Sequence, residues 1–171
     1  MNRNTSLLIL LFTLNTLTAI GQSIQLDPFK NRIKKSAEKM AHAYEVKDYK
    51  TVIKYFDTQM VTALGGKKKA IGFFKKGLPG GAEIYRFEID TPSNTIVSQG
   101  TVQCTLIETI TLQIKDAFIL TKSTLIGISK DGGKNWFFID AARPIKELKC
   151  RFPYISDRLI IAPDPPIIRL R

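Results

Sequence analysis

The chain has 171 residues, 44% of them hydrophobic, and carries 26 lysine or arginine against 15 aspartate or glutamate residues, a formal net charge of +11. This length and this hydrophobic fraction describe one globular domain with a real core and exclude a disordered chain. The basic excess favours anionic partners such as lipid head groups or acidic polysaccharide, with solubilising surface charge as the plainer interpretation. Nucleic acid is disfavoured because no dedicated nucleic-acid motif occurs.

The N-terminal 21 residues have the order of a secretory signal peptide. Arg3 gives the basic start, residues 7–17 form an apolar run, and Ala19 and Gly21 are the small residues before a cleavage site. The run is shorter than the about 20 apolar residues that a permanent membrane helix needs. We therefore expect an exported protein, periplasmic or secreted, whose mature part, residues 22–171, is a single domain without a membrane span.

Three helices are predicted next. Residues 29–44 carry an apolar stripe at helical spacing, and Asp48 is the expected N-cap of a second helix that ends at Gly65 and Gly66. Residues 67–76 form a short third helix. Its expected inward residues are Ala70, Ile71, Phe73 and Phe74.

From residue 83 the apolar period changes from helical spacing to alternation, which predicts strands. The predicted strands cover residues 83–90, 95–99, 101–114, 118–129 and 135–141. Helices followed by strands indicate an α+β fold, with the helices packed on a curved antiparallel sheet. After Arg143 the prolines predict irregular chain, and the Pro-rich tail, residues 162–171, either packs on the domain or reaches a partner as an extended strand.

Two charged residues interrupt the apolar faces of the longest strands. Matching those faces pairs Ile110 with Leu120 and places Glu108 opposite Lys122, which requires an odd-numbered loop centred on Lys115. A charged pair at a sheet rim or edge is the simpler interpretation, and a β-bulge that shifts the phase is another. The functional interpretation is a polar spot in a pocket, with Glu108 as a base or ligand contact that Lys122 keeps ionised.

Residues 129–136 have the pattern S-x-D-x-G-x-N-W and resemble the Asp-box hairpin, S-x-D-x-G-x-T-W, with Asn135 in place of threonine. Asp131 is suited to accept hydrogen bonds from turn amides, and Gly133 to adopt a positive φ. Trp136 would cover the turn with apolar area. The resemblance implies a structural hairpin, with Ser129, Asp131, Gly133 and Trp136 as its turn residues, and no catalytic aspartate.

A basic patch follows Gly65 and Gly66. It consists of Lys67, Lys68, Lys69, Lys75 and Lys76. Its plain interpretation is a solvated face, and the functional one is attachment to an anionic envelope component. The P-loop pattern of nucleotide-binding proteins is absent.

The cysteines and the single histidine limit the chemistry further. Cys104 and Cys150 are able to form one disulfide in an oxidising compartment, and a buried free thiol at Cys104 is the alternative. His42 is expected to face solvent. One histidine and two distant cysteines exclude the common zinc arrangements and, with that orientation, a Ser-His-Asp triad. We expect no metal and no cofactor.

The order of elements, with residues 49–56 leading to Gly65 and Gly66, resembles the NTF2-like (cystatin-like) superfamily over residues 29–142. The resemblance implies a cone-shaped α+β fold with an apolar pocket between helices and sheet. Some members are isomerases or dehydratases that use Asp, His and Tyr there, and many bind ligands or partners without catalysis. No catalytic Asp/Tyr or Asp/His pattern matches residue by residue in this chain, so fold-level likeness alone carries no activity.

The leading hypothesis is an exported, non-catalytic domain that binds a small apolar or amphipathic ligand, or an envelope protein, in that pocket. The expected ligand-binding residues are Tyr44, Phe56, Leu106, Glu108 and Lys122. One alternative is a small-molecule isomerase or dehydratase with Glu108 as the catalytic base; the other is a basic module that attaches to anionic envelope components. The resemblance also allows a homodimer through the outer sheet face. That face carries Thr101, Thr105, Thr109 and Thr111.

Overall fold

A computed structural model of the protein describes residues 27–141, 144–163 and 167–170, so the predicted signal peptide lies outside the described residues. The helices are α1 Lys30–Glu45, α2 Tyr49–Val52, α3 Thr58–Ala63, α4 Lys67–Lys75 and α5 Ile145–Arg151. Short 3₁₀ turns cover Ile53–Tyr55 and Pro79–Gly81. The strands are β1 Glu83–Ile89, β2 Ile96–Ser98, β3 Thr101–Ile114, β4 Ala117–Ser129, β5 Phe137–Asp140 and β6 Ile168–Leu170.

The strands form one curved, unclosed antiparallel sheet in the order β1-β3-β4-β5. β2 pairs with the start of β3, and β6 pairs with the start of β4. Helices α1 to α4 come before the first strand in the chain, and α1 makes its main contacts with β1. The predicted α+β class, with N-terminal helices on a curved antiparallel sheet, is confirmed.

The main core lies between α1 and one face of the sheet. Ile33, Ala37 and Met40 of α1 are buried there, as the helical spacing predicts, against Leu106 and Phe138 of the sheet. Burying side chains of this size contributes roughly 1.5–3 kcal/mol each. This packing fixes α1 across one face of the sheet and leaves the opposite side of the helix in solvent.

The C-terminal segment covers part of the second sheet face. Phe152 and Ile155 pack there against Ile126 and other apolar residues of β4 and β5. Gln103 of β3, fully buried, holds the segment in place because its amide nitrogen donates to the Tyr154 carbonyl at 2.7 Å and its oxygen accepts from a backbone N–H at 3.0 Å. The segment predicted to be irregular therefore contains one short helix and belongs to the domain.

The predicted second helix is divided. Asp48 caps α2 as expected, accepting from Thr51 N at 3.2 Å. However, Phe56 is extended, and Asp57 caps a separate helix, α3, by accepting from Gln59 N at 2.8 Å. A second carboxylate at a capping position interrupts the continuous helix that the apolar spacing alone predicts.

Two predicted side-chain orientations are wrong: Phe73 was expected inward, and strand alternation placed Tyr85 on the same face as Phe87 and Ile89. Phe73 is 59% exposed, not inward, while its neighbour Phe74 packs among Tyr44 and other aromatic rings. In β1 the register shifts between Ile84 and Arg86, so Tyr85 leaves the core face and is 62% exposed. A one-residue irregularity of this kind turns the following side chains to the other face.

The predicted register of the long hairpin is wrong by one residue. Ile110 lies opposite Thr121 and Glu108 opposite Ser123, not Lys122. The loop holds two residues, Lys115 and Asp116, and Lys115 has a φ of 52°. Lys122 therefore lies opposite Thr109 on the other sheet face and is exposed. The proposed Glu108–Lys122 pair does not exist.

The predicted disulfide is also absent from the described residues. Cys104 is a fully buried free thiol on the face that α1 covers, whereas Cys150 is exposed on α5. The two cysteines lie on different sides of the sheet because the C-terminal segment packs on the face opposite α1.

Candidate functional site

A basic groove opens where α1 passes the loop between β4 and β5. It encloses about 980 Å³. From α1 it receives Arg32, Lys35 and Lys39, which lie on one side of the helix because they are three and seven residues apart. The 3₁₀ turn and the facing loop add the remaining cations. These are Lys54, Lys130 and Lys134.

The loop that forms one wall of the groove is rigidly hydrogen-bonded. Asp131 accepts from the backbone N–H groups of Lys134 (3.1 Å) and Asn135 (2.9 Å), and from the hydroxyl of Ser129 (2.8 Å). Asn135, the residue that departs from the motif, adds a 2.6 Å bond from its own amide to Asp131. These bonds lower the pKa of Asp131 to about 2, so the carboxylate is ionised and committed to the turn.

One hydrogen bond attaches this loop to α1, and another closes the loop on itself. Arg32 Nη1 of α1 donates to the Gly133 carbonyl at 2.8 Å, and Trp136 Nε1 of the loop donates to the same oxygen at 3.2 Å. The Phe29 ring lies edge-on to Trp136, with 6.2 Å between the ring centres. The turn residues of the S-x-D-x-G-x-N-W segment thus fix the width of the groove.

The second carboxylate of the groove is neutralised internally. Asp57 lies 2.6 Å from Lys130 Nζ and accepts a 3.0 Å hydrogen bond from the Tyr154 hydroxyl. Burial alone would raise the pKa of Asp57, but the hydrogen bonds from Lys130, the Gln59 amide and Tyr154 together hold it below its ordinary value. Lys130 therefore balances Asp57, and the six cations and two ionised carboxylates of the groove leave four positive charges in excess.

Five cations at the groove have no carboxylate within salt-bridge distance among the described residues. They are Arg32, Lys35, Lys39, Lys54 and Lys134, all exposed. Because they line one concave surface, their positive potentials add at its centre. The groove is therefore a region of positive electrostatic potential that attracts anionic groups.

A second, shallower groove of about 540 Å³ runs on along α1. It shares Lys35, Lys39 and Tyr55 with the basic groove, and reaches Val46 at the end of the helix. The two grooves therefore form one continuous depression along the exposed side of α1. It is basic at the start of the helix and of mixed charge farther on, where Glu38 and Asp48 line it.

The predicted pocket residues lie elsewhere. Tyr44, Phe56 and Leu106 pack in or against the main core, and Glu108, 4% exposed, accepts a hydrogen bond from Ser123. Burial, followed by the charges of Glu108 and Asp140, raises the pKa of Tyr44. Lys122 is on the opposite face. None of the five predicted residues lines either groove.

The other predicted features keep their positions on the surface. The basic patch Lys67, Lys68, Lys69, Lys75 and Lys76 is exposed on or directly after α4, away from both grooves. His42 is exposed as predicted. Within the described ranges, no cluster of three potential metal ligands occurs and no helix has the length and apolarity to cross a bilayer.

Sequence reasoning missed the basic groove. The spacing of Arg32, Lys35 and Lys39 along a predicted helix was the available signal. Lys54 and Lys134 come close to these three residues only through tertiary packing.

No protein-family model matches the chain, and comparison with curated proteins finds no match.

Proposed function

We propose that this protein is a non-catalytic binding module of NTF2-like architecture whose ligand carries anionic groups and occupies the basic groove. The carrying observation is that six cations line the groove against two carboxylates, Asp57 and Asp131, so that four positive charges are in excess. Helices on one face of a curved antiparallel sheet support the architecture.

The volume and the charge of the groove support a ligand rather than a single ion. Its about 980 Å³ lies at the upper end of the usual range for ligand sites, roughly 300–1,000 Å³. Each exposed lysine contributes little on its own, but several that converge on one ligand act together and depend strongly on salt. Tyr55 and Phe137 also line the groove and supply apolar contact area.

The catalytic alternative has no comparable support. Glu108 as a general base requires a space beside its carboxylate for substrate, and Glu108 lines neither of the two grooves. The role of Glu108 as a catalytic base stays a prediction.

The single tryptophan provides a direct test. Because Trp136 lines the groove, its fluorescence should change saturably when a sulfated hexasaccharide is added at low salt, and the affinity should fall as salt is raised. An uncharged hexasaccharide should have no effect. Without saturable binding of the sulfated probe, the proposal is wrong.

Matched double variants locate the site. Lys35→Gln/Lys39→Gln removes two groove cations and should weaken binding about tenfold, equivalent to about 0.7 kcal/mol per lysine. Lys122→Gln/Lys146→Gln removes the same charge from exposed residues outside the groove and should change affinity about twofold or less. Equal weakening by both variants would show that only net charge matters.

A further inference from the structure

Helix α4 presents a second cationic surface, separate from the groove. Its five exposed lysines occur in a stretch, residues 58–82, that contains no aspartate or glutamate. No described carboxylate lies within salt-bridge distance of any of the five. The helix packs on α2 and α3 through Ala70 and Phe74, and this contact turns the lysines outward.

An exposed aromatic ring lies at one edge of the surface that these lysines form. Phe73 is 59% exposed, and its ring contacts Phe74 with 5.6 Å between the ring centres. Lys69 and Lys76 lie four residues before and three after Phe73, so they flank it on the helix surface. Leu78, 41% exposed, follows directly. Two exposed apolar side chains therefore lie beside lysines that have no described carboxylate partner. This combination indicates a surface that binds another structure.

We propose that α4 is a docking face for an anionic lipid bilayer. The lysines would meet the negative head groups, and Phe73 and Leu78 would enter the layer between head groups and acyl chains. This partner matches both the lysines and the exposed apolar side chains, because a bilayer has anionic head groups at its surface and acyl chains directly beneath them. A soluble polyanion matches the lysines but offers nothing to Phe73.

The docking face is independent of the ligand groove. No residue of α4 lines the groove, and no groove cation lies on α4. Attachment would place the protein on a membrane surface without a spanning helix, which agrees with the described helices. The two proposals therefore succeed or fail separately, since the variants that test them do not overlap.

Co-sedimentation with vesicles tests the proposal on the purified full chain. We expect binding to phosphatidylcholine vesicles that contain about 30% phosphatidylglycerol, and much weaker binding to pure phosphatidylcholine. Lys69→Gln/Lys76→Gln should weaken binding about fivefold per lysine removed, and Phe73→Ala about fivefold or more. Phe73→Trp should retain binding and shift its emission to shorter wavelength when vesicles are added.

Matched controls separate this surface from net charge. Lys122→Gln/Lys146→Gln removes two exposed lysines elsewhere, and Tyr85→Ala removes an aromatic ring of similar exposure away from α4. Both should bind vesicles like the unaltered protein. The proposal is overturned by equal loss in these controls, by no preference for anionic vesicles, or by full binding of Phe73→Ala. Polyglutamate binding that depends equally on Phe73 would assign the face to an acidic protein instead.

Discussion

Lys130 and Asp57 form an ion pair with 2.6 Å between Nζ and Oδ2, although Asp57 is only 2% exposed. The Tyr154 hydroxyl donates to the same oxygen at 3.0 Å, and the Lys130 ammonium lies 4.4 Å from the centre of the Tyr154 ring. Three segments that are distant in sequence meet at this carboxylate: the start of α3, the loop after β4 and the C-terminal segment.

Asp57→Ala is expected to lower the free energy of unfolding by about 3 kcal/mol. The change removes the α3 N-cap and leaves the Lys130 ammonium and the Tyr154 hydroxyl without their acceptor. Urea denaturation measures the loss. Asp48→Ala is the matched control, because Asp48 caps α2 in the same way but is exposed. Its effect should be clearly smaller, and equal losses would contradict the importance of the buried pair.

Gly133→Ala is expected to destabilise the protein by about 3 kcal/mol, from left-handed backbone strain and a clash with a packed ring. A Cβ at this residue would lie 2.3 Å from the Phe29 ring, and its φ is +85°. Gly132 has a φ of +70° but nothing within 4 Å of its Cβ position. Gly132→Ala should therefore show the backbone part alone, about 1 kcal/mol. Thermal melts of the two variants that coincide would refute this account.

The Asp131 turn should give a distinct acid sensitivity. Hydrogen bonds from the Asn135 backbone and side chain, then from Ser129, lower the pKa of Asp131 from 3.8 to about 2. Because the folded pKa is the lower one, the stabilisation is fully present above 3.8 and is lost as the pH falls through about 2. The stability difference between the protein and Asp131→Asn should shrink across this window in urea titrations. A difference that is constant with pH would contradict the ionised turn.

The two cysteines should react with thiol reagents at very different rates. Cys150 is exposed and should react at once at neutral pH, whereas burial raises the pKa of the Cys104 thiol to about 12. Since the thiolate is the reactive form, Cys104 should react only when the protein unfolds. Absorbance of released thionitrobenzoate, with and without denaturant, counts the two groups. Detection of neither thiol under non-reducing denaturing conditions would show a disulfide and contradict the structure.

Local patterns predicted the elements of this fold well. The stripe of Ile33, Ala37 and Met40 located α1, and alternation located β3 with its observed bounds. Each of these signals resides within one element, where the period of buried residues is set by backbone geometry. Asp57 shows the limit of such prediction. A polar residue inside an apolar stripe either continues the helix or caps a new one, and only the tertiary structure decides between these two outcomes.

The hairpin register was not predictable from apolar matching. Pairing Ile110 with Leu120 aligns the apolar faces of the two strands. However, the loop contains two residues, Lys115 and Asp116, and this length shifts the register by one residue. The Lys-Asp pair lacks the usual glycine or asparagine signal for so short a loop. As a result Lys122 lies on the other face of the sheet, and the predicted pairing of Glu108 with Lys122 was wrong.

The functional surfaces depended on tertiary packing even more strongly. The groove joins cations from α1, a 3₁₀ turn and the loop after β4, which no single stretch of sequence brings together. Similarly, the lysines of α4 were visible in the sequence, but the exposure of Phe73 among them was not. Helical spacing allows Phe73 and Phe74 both to face inward, and the aromatic neighbours Tyr49 and Phe56 accommodate Phe74 alone.

The pairing of β6 with β4 affects how the molecule meets its own copies. β5 covers one stretch of the free edge of β4, and β6 covers another, opposite Phe118–Leu120. Backbone groups that are already paired offer no template to a strand from another molecule. At the far edge, the irregularity near Tyr85 disturbs β1 in a way that also discourages such pairing. β6 thereby occupies a stretch of the β4 edge that another strand would otherwise be free to join.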